Sequence, residues 1–170
     1  MIKFEAEPIV VNSKSLVVLP KQASAQLPSR GMVMVEGTLN GAKFQTPLEP
    51  DGKGSHWFKV RIGTGKATVS IEPSKQWPEP ELPVDLKKAL GSSPKIQPLW
   101  DRITPMARWD WLRWINATAN SETRQKRIDV AFSKLKQGDR RPCCFNRTMC
   151  TDPSVSKSGM LLEPTAGVSV

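Results

Sequence analysis

Pro73-Ser74-Lys75-Gln76-Trp77-Pro78-Glu79-Pro80-Glu81-Leu82-Pro83 separates two halves of different kind. Each proline removes a backbone donor and keeps the residue before it extended. The segment is predicted to run as a Pro-rich linker over 73–84. On either side the hydrophobic period differs, and that difference sets the fold class.

Upstream, residues 1–72 read as β. Ile2-Lys3-Phe4-Glu5-Ala6 alternates apolar and polar, as a half-buried strand does. Leu16-Val17-Val18-Leu19 is a short apolar run closed by Pro20, and Lys21 to Leu27 fits a helical turn or two before Pro28. Met32–Leu39 and Ala42–Leu48 flank Asn40-Gly41, a strong hairpin signal because both turn positions need positive φ. Asp51-Gly52-Lys53-Gly54 marks the next turn. His56–Ile62 and Ala67–Ile71 then predict a second hairpin around Gly63-Thr64-Gly65-Lys66. That last stretch lacks the spacing and following helix of a phosphate loop.

Downstream, 85–147 reads as helical. Asp85 is placed to cap a helix whose face is Leu86, Ala89 and Leu90, with Gly91 as its stop. Ile96, Leu99, Trp100 and Ile103 share a second face, with Pro98 shifting the start toward itself. Thr104-Pro105 is an N-cap followed by proline at the first helical position, opening a helix to about Ala119. Ser121 is expected to cap the last helix, with Ile128, Ala131, Phe132 and Leu135 buried and Gly138 ending it. Residues 148–170 have few large apolar groups and no period, and are predicted to be a flexible tail. The expected fold is therefore α+β, a small antiparallel β-barrel followed by a helical domain.

Charge is uneven. Of the net +9, residues 85–147 hold fourteen Lys/Arg against six Asp/Glu, whereas 1–84 hold ten against eight. A basic helical domain suits an acidic protein surface or non-specific nucleic acid, or is a solvated face that aids solubility. The start, MIKFEAEPIVV, has no long apolar stretch and predicts no signal peptide. Nothing approaches the ~20 apolar residues of a transmembrane segment. Three cysteines, two of them adjacent, make a poor disulfide framework and fit a reducing, cytoplasmic location.

Several residues are candidates for chemistry. His56, the one histidine, stands beside Trp57 and a Gly-rich turn, without the partners a catalytic constellation needs. Cys143, Cys144 and Cys150 lie among Arg140, Arg141 and Arg147, which favour thiolate and make a redox role conceivable. Their spacing falls one ligand short of structural zinc, so no metal is expected, and no cofactor either. Trp100, Trp109, Trp111 and Trp114 crowd one stretch. Trp109 and Trp114, with Arg102, Arg108 and Arg113 beside them, offer either a base-stacking platform or a broad core helix, and the core is the favoured reading. Arg124 and Arg127, one turn apart, complete the candidate interaction surface.

One set of motifs resembles a known family. Leu82-Pro83-x-Asp85-Leu86-x-x-Ala89-Leu90, Trp100-x-x-Ile103-Thr104-Pro105, Trp111-x-x-Trp114-Ile115, Glu122-Thr123-Arg124-x-x-Arg127-Ile128 and Leu135-x-x-Gly138-x-Arg140 resemble the bacterial YdeI/OmpD-associated family, also labelled bacteriocin-protection proteins. The front half resembles the small β-barrel domain of unknown function that often precedes it, through Phe4-x-Ala6, Leu19-Pro20, Val35-x-Gly37-Thr38-x-Asn40-Gly41-x-x-Phe44 and Gly52-x-Gly54-x-His56. Arg61 to Lys66 is shorter than that resemblance implies. The resemblance implies a role in bacteriocin or antimicrobial-peptide tolerance and carries no catalytic residue. The expected function is binding, with a nucleic-acid binder and a thiol-redox protein or His56 enzyme as the alternatives.

Overall fold

A computed structural model describes residues 1–61, 65–142 and 146–164. The chain divides into two compact units. The first holds Met1–Lys75 with Asn146–Cys150 and the segment from Ser154 onward; the second holds Gln76–Phe145 with Thr151–Pro153.

The first unit is a curled antiparallel sheet of seven strands. They are β1 (Ile2–Ala6), β2 (Ile9–Val11), β3 (Lys14–Val18), β4 (Val33–Leu39), β5 (Ala42–Pro50), β6 (His56–Lys59) and β7 (Ala67–Pro73), in the order β1-β7-β4-β5-β6-β3-β2. The two edge strands, β1 and β2, are consecutive in sequence and joined only through Glu7 and Pro8. So short a connection between opposite edges forces the sheet to roll toward closure. The nine-residue β5 makes the bend, pairing with β4 along most of its length and with β6 only at Glu49 and Pro50. Asn40 and Gly41, at φ 50° and 84°, form the predicted tight turn between β4 and β5.

Inside the curl, alternate residues of the strands make the core: Val17, Val33, Val35, Leu48, Phe58, Val69 and Ile71 are all nearly inaccessible to water. The short helix α1 (Lys21–Ser24) adds Ala23 to it, followed by Leu27.

The expected second hairpin does not form. β6 pairs with β3 and β5, whereas β7 pairs with β1 and β4. Gly37 of β4 explains the choice of partner. A Cβ there would lie 1.9 Å from the Ser70 carbonyl oxygen, so only glycine lets β7 approach this closely. Ile62, the end of the predicted strand, and Gly63 and Thr64 of the predicted turn fall outside the described residues.

Among the described residues the second unit contains four helices: α2 (Val84–Gly91), α3 (Gln97–Arg102), α4 (Pro105–Ile115) and α5 (Ser121–Lys136). Their shared core is Leu86, Leu90, Trp100, Trp111, Ile115, Ile128 and Leu135 with their neighbours. Thr104 caps α4 as expected, its side chain accepting from the Ala107 N–H at 3.1 Å. Asn120, rather than Ser121, caps α5, accepting from the Thr123 N–H at 2.9 Å. Asp85 lies inside the first turn of α2 instead of capping it, and α4 ends at Ile115, earlier than predicted. Pro98 falls in the first turn of α3, where its missing N–H costs nothing. No helix among the described residues is long and apolar enough to cross a membrane.

The segment expected to be a loose tail has structure of its own. β8 (Ser156–Lys157) and β9 (Met160–Leu161) pair with each other. Cys150, Val155 and Leu161 are buried in a cluster with Val11, Leu16 and Trp57 of the first unit. Few apolar residues are present here, but these three are placed to be covered.

Candidate functional site

In the β unit the candidates are His56 and Trp57. Adjacent strand residues point to opposite faces, so Trp57 lies on the outer face while its neighbour Phe58 fills the inside. Trp57 is buried and its indole N–H donates to the Pro50 carbonyl at 3.2 Å.

His56 is fully buried. Its Nε2 lies 2.7 Å from the Gly31 carbonyl, which only accepts, so Nε2 carries the proton. Nδ1 then accepts from the Ser24 hydroxyl, also at 2.7 Å. Arg30 donates to the same Ser24 oxygen at 3.1 Å. Burial holds the imidazole pKa below its usual value of 6.5. The Gly31 carbonyl opposes that shift, Arg30 adds to it and Asp51 opposes it weakly. The ring is thus a neutral pin joining β6 to the segment after α1.

In the helical unit the arginines close the ends of helices. A short helix leaves its last carbonyls without partners. Arg108 of α4 reaches back to the end of α3, where Nη1 donates to the Trp100 carbonyl at 3.0 Å and the Ile103 carbonyl at 2.7 Å. Its other nitrogen, Nη2, pairs with Glu79 of the linker. Arg127 of α5 donates to the Trp114 carbonyl near the end of α4 at 2.6 Å, and its guanidinium stacks over the Trp114 ring at 5.5 Å. Arg124 donates to Asn116 at 2.9 Å and makes a two-pronged contact with Asp85, at 2.8 and 3.1 Å. That contact is the main cause holding the Asp85 carboxyl below the ordinary carboxylate range. Cations at these helix ends also oppose the negative pole of each helix.

The remaining candidates are spread over α4. Arg113 is buried, as is Asp110, which pairs with Arg141 at 3.4 Å. Trp109 is half-buried, its indole N–H donating to the Pro78 carbonyl at 2.8 Å. Trp114 is half-buried and packs edge-on to Trp111. Cys150 is buried, and Cys143 and Cys144 lie outside the described residues. Among the described residues no group of three His, Cys, Asp or Glu is placed to hold a metal ion.

Two family models match this chain in the order of its two units. Residues 79–138 match the family described as "Bacteriocin-protection, YdeI or OmpD-Associated". Over those residues the helical unit is similar to the YdeI/OmpD-associated family. Residues 4–72 match a "Domain of unknown function (DUF1905)", which takes in all but the outermost residues of the seven-stranded sheet. Comparison with curated proteins and with solved structures gives no match. The YdeI/OmpD-associated match begins at Glu79 and so includes the linker carboxylate that Arg108 holds.

Glu79, Asp85, Asn116 and Ser24, the partners that fix Arg108, Arg124 and His56, do not stand out in the sequence. Each acts across 29 to 39 residues of chain, except Asn116, which lies eight residues from Arg124. Local spacing carries no signal for contacts at that range.

Proposed function

We propose that the chain is a non-catalytic interaction protein of the cytoplasm, serving the bacteriocin protection for which the family of its helical module is named. The helical module meets an acidic protein partner. The observation that carries this reading is the division of its cations into two groups. Arg108, Arg124 and Arg127 are engaged by carbonyls, Glu79, Asp85 and an indole ring. Lys87, Lys88, Lys95 and Arg102 instead face water across α2, α3 and the segment between them. Within Leu86–Ile103 the one exposed acid is Asp101. A surface of one sign raises the encounter rate with a partner of the other sign. The buried, doubly bonded His56 supports binding over catalysis, since it is held in place on both ring nitrogens.

The test is survival of a bacteriocin-sensitive bacterium expressing the full chain. Protection is expected, and expected to be lost when Lys87, Lys88, Lys95 and Arg102 are all replaced by Gln with the melting temperature unchanged. Full protection by that variant, or none by the parent chain, would overturn the reading. Duplex DNA titrated in parallel should bind no tighter than about 10⁻⁴ to 10⁻⁶ M, weakening steeply with salt.

A further inference from the structure

The two sides of α2 differ sharply. Leu86 and Leu90 are buried and Ala89 is half-buried, all three in the core of the helical unit. Val84, Lys87, Lys88 and Gly91 are exposed. Spaced at i, i+3, i+4 and i+7, these four make one stripe along the helix, about two turns long. Asp85 stands at its edge, where both carboxylate oxygens accept from Arg124. The stripe itself holds no acid.

Two members of the stripe are not what solvation alone would select. Val84 is 71% exposed; Met1 apart, no other large apolar side chain among the described residues is more than 48% exposed. One exposed valine by itself needs no explanation. Here it lies in line with a glycine that the fold does not require. Gly91 is the last residue of α2, and its φ is not in the left-handed region. A Cβ there would meet nothing within 4 Å, unlike one at Gly37, which would strike the Ser70 carbonyl. Alanine would make the better helix at such a position. What the missing side chain provides is a flat place where a second backbone can come close.

We propose that the stripe of Val84, Lys87, Lys88 and Gly91 is the docking surface for an acidic amphipathic helix of a partner protein. This rests on the acidic-partner reading above and adds the form of the partner. Helix axes come within about 8 Å, the short end of the usual range, where the side chains at the contact are small. Gly91 therefore takes the crossing point. Val84 takes an apolar side chain of the partner, and Lys87 and Lys88 take carboxylates on its flanks. An apolar position flanked by charges at this spacing is how one helix reads another. Two copies of the stripe would set lysine against lysine, so a second copy of this chain does not fit it.

The test uses the full chain and a labelled synthetic peptide of about 20 residues, long enough to hold a helix. The peptide carries one leucine stripe flanked by glutamates; its control has the same residues in an order that breaks the helical period. The chain should bind the helical peptide at least ten-fold more tightly than the control. Gly91→Leu, which fills the crossing point, should weaken that binding at least ten-fold, and Val84→Ser several-fold. Gly91→Ala should weaken it several-fold while the melting temperature stays or rises, which decides the matter even if Gly91→Leu does not fold. Equal binding of the two peptides, or parental affinity in either folded Gly91 variant, would overturn the proposal. In the survival assay, Val84→Ser with Gly91→Leu keeps every cation and should remove protection. Full protection by that variant, with none from the fourfold Gln variant, would sink the docking helix and leave the acidic-partner reading standing. Full protection by both would sink the two together. A concentration-dependent dimer of the parent chain that Gly91→Leu abolishes would give the stripe to a second copy and likewise overturn the proposal.

Discussion

The two units bury apolar side chains alike but satisfy their buried polar groups by different means. In the β unit the backbone of neighbouring strands pairs in antiparallel ladders, and the buried His56 bonds a carbonyl and a hydroxyl in its neutral form. In the helical unit three of the four helices are eleven residues or shorter, so a large share of their carbonyls lies in last turns. Charged guanidinium groups from the following helix fill that need. The difference teaches that a count of basic residues is a poor guide to surface charge in a bundle of short helices. Part of the basic excess in this half is internal scaffolding. An arginine suits this work because its planar fork can reach two or three carbonyls at once, which a lysine cannot.

The comparison predicts equal apolar and unequal polar sensitivity. Phe58→Ala in the sheet and Trp111→Ala in the helices should each cost about 3–5 kcal/mol, measured by denaturant unfolding of the full chain. A cost under about 1 kcal/mol at either site would show that its cluster is not a true core.

Next in size is Arg108→Ala. The guanidinium is nearly buried, and its loss strands carbonyls at the end of α3 together with Glu79. The expected cost is about 2–4 kcal/mol. Arg108→Lys should recover only a minority of it, since one ammonium cannot serve both the carbonyls and the linker. Full rescue by lysine would mean that charge alone matters and that the capping account is wrong.

How much of this was legible follows from the range of each interaction. The Asn40-Gly41 turn and the Thr104-Pro105 helix start are local, and both are found where their residues predict them. The turn between β2 and β3 is equally tight, with Asn12 and Ser13 at φ 47° and 69°, but serine has no strong preference for that conformation and gave no signal. The pairing of β7 with β4 instead of β6 depends on the missing side chain of Gly37, which meets Ser70 across 33 residues. The site was less legible still. Arg108, Arg124 and Arg127 stand out as cations in the sequence, yet whether each faces solvent or a helix end depends on tertiary packing.

A smaller effect separates the units by pH. His56 is neutral when folded, with its pKa lowered below 6.5, whereas in the unfolded chain it titrates near 6.5. The unfolded state therefore binds the extra proton first. Stability is whole above about pH 6.5 and declines as pH falls below it, by at most about 1.4 kcal/mol per pH unit, until the folded ring also protonates. His56→Gln should flatten the dependence of stability between pH 7 and 5. The same slope in both proteins would show that another group titrates there.

The smallest effect is the contact of Arg124 with Asp85, and its pH window lies elsewhere. The Asp85 carboxyl is held below its usual value of 3.8, chiefly by the Arg124 hydrogen bonds. A depressed carboxylate stabilises the fold above its unfolded pKa, and that contribution disappears as pH falls through the folded value. It is therefore complete at pH 5, where the His56 contribution is already declining. Asp85 is partly open to water, with a side chain 41% exposed, so screening limits the effect. A double-mutant cycle with Asp85→Asn and Arg124→Gln should give a coupling of about 1 kcal/mol at pH 7 in low salt. The coupling should shrink in 1 M salt and vanish below the folded pKa. Since Arg124 also donates to Asn116, Arg124→Gln alone should cost more than Asp85→Asn alone. Equal single costs would reduce Arg124 to a partner of one carboxylate and remove it from the set of arginines that fasten one helix to the end of another.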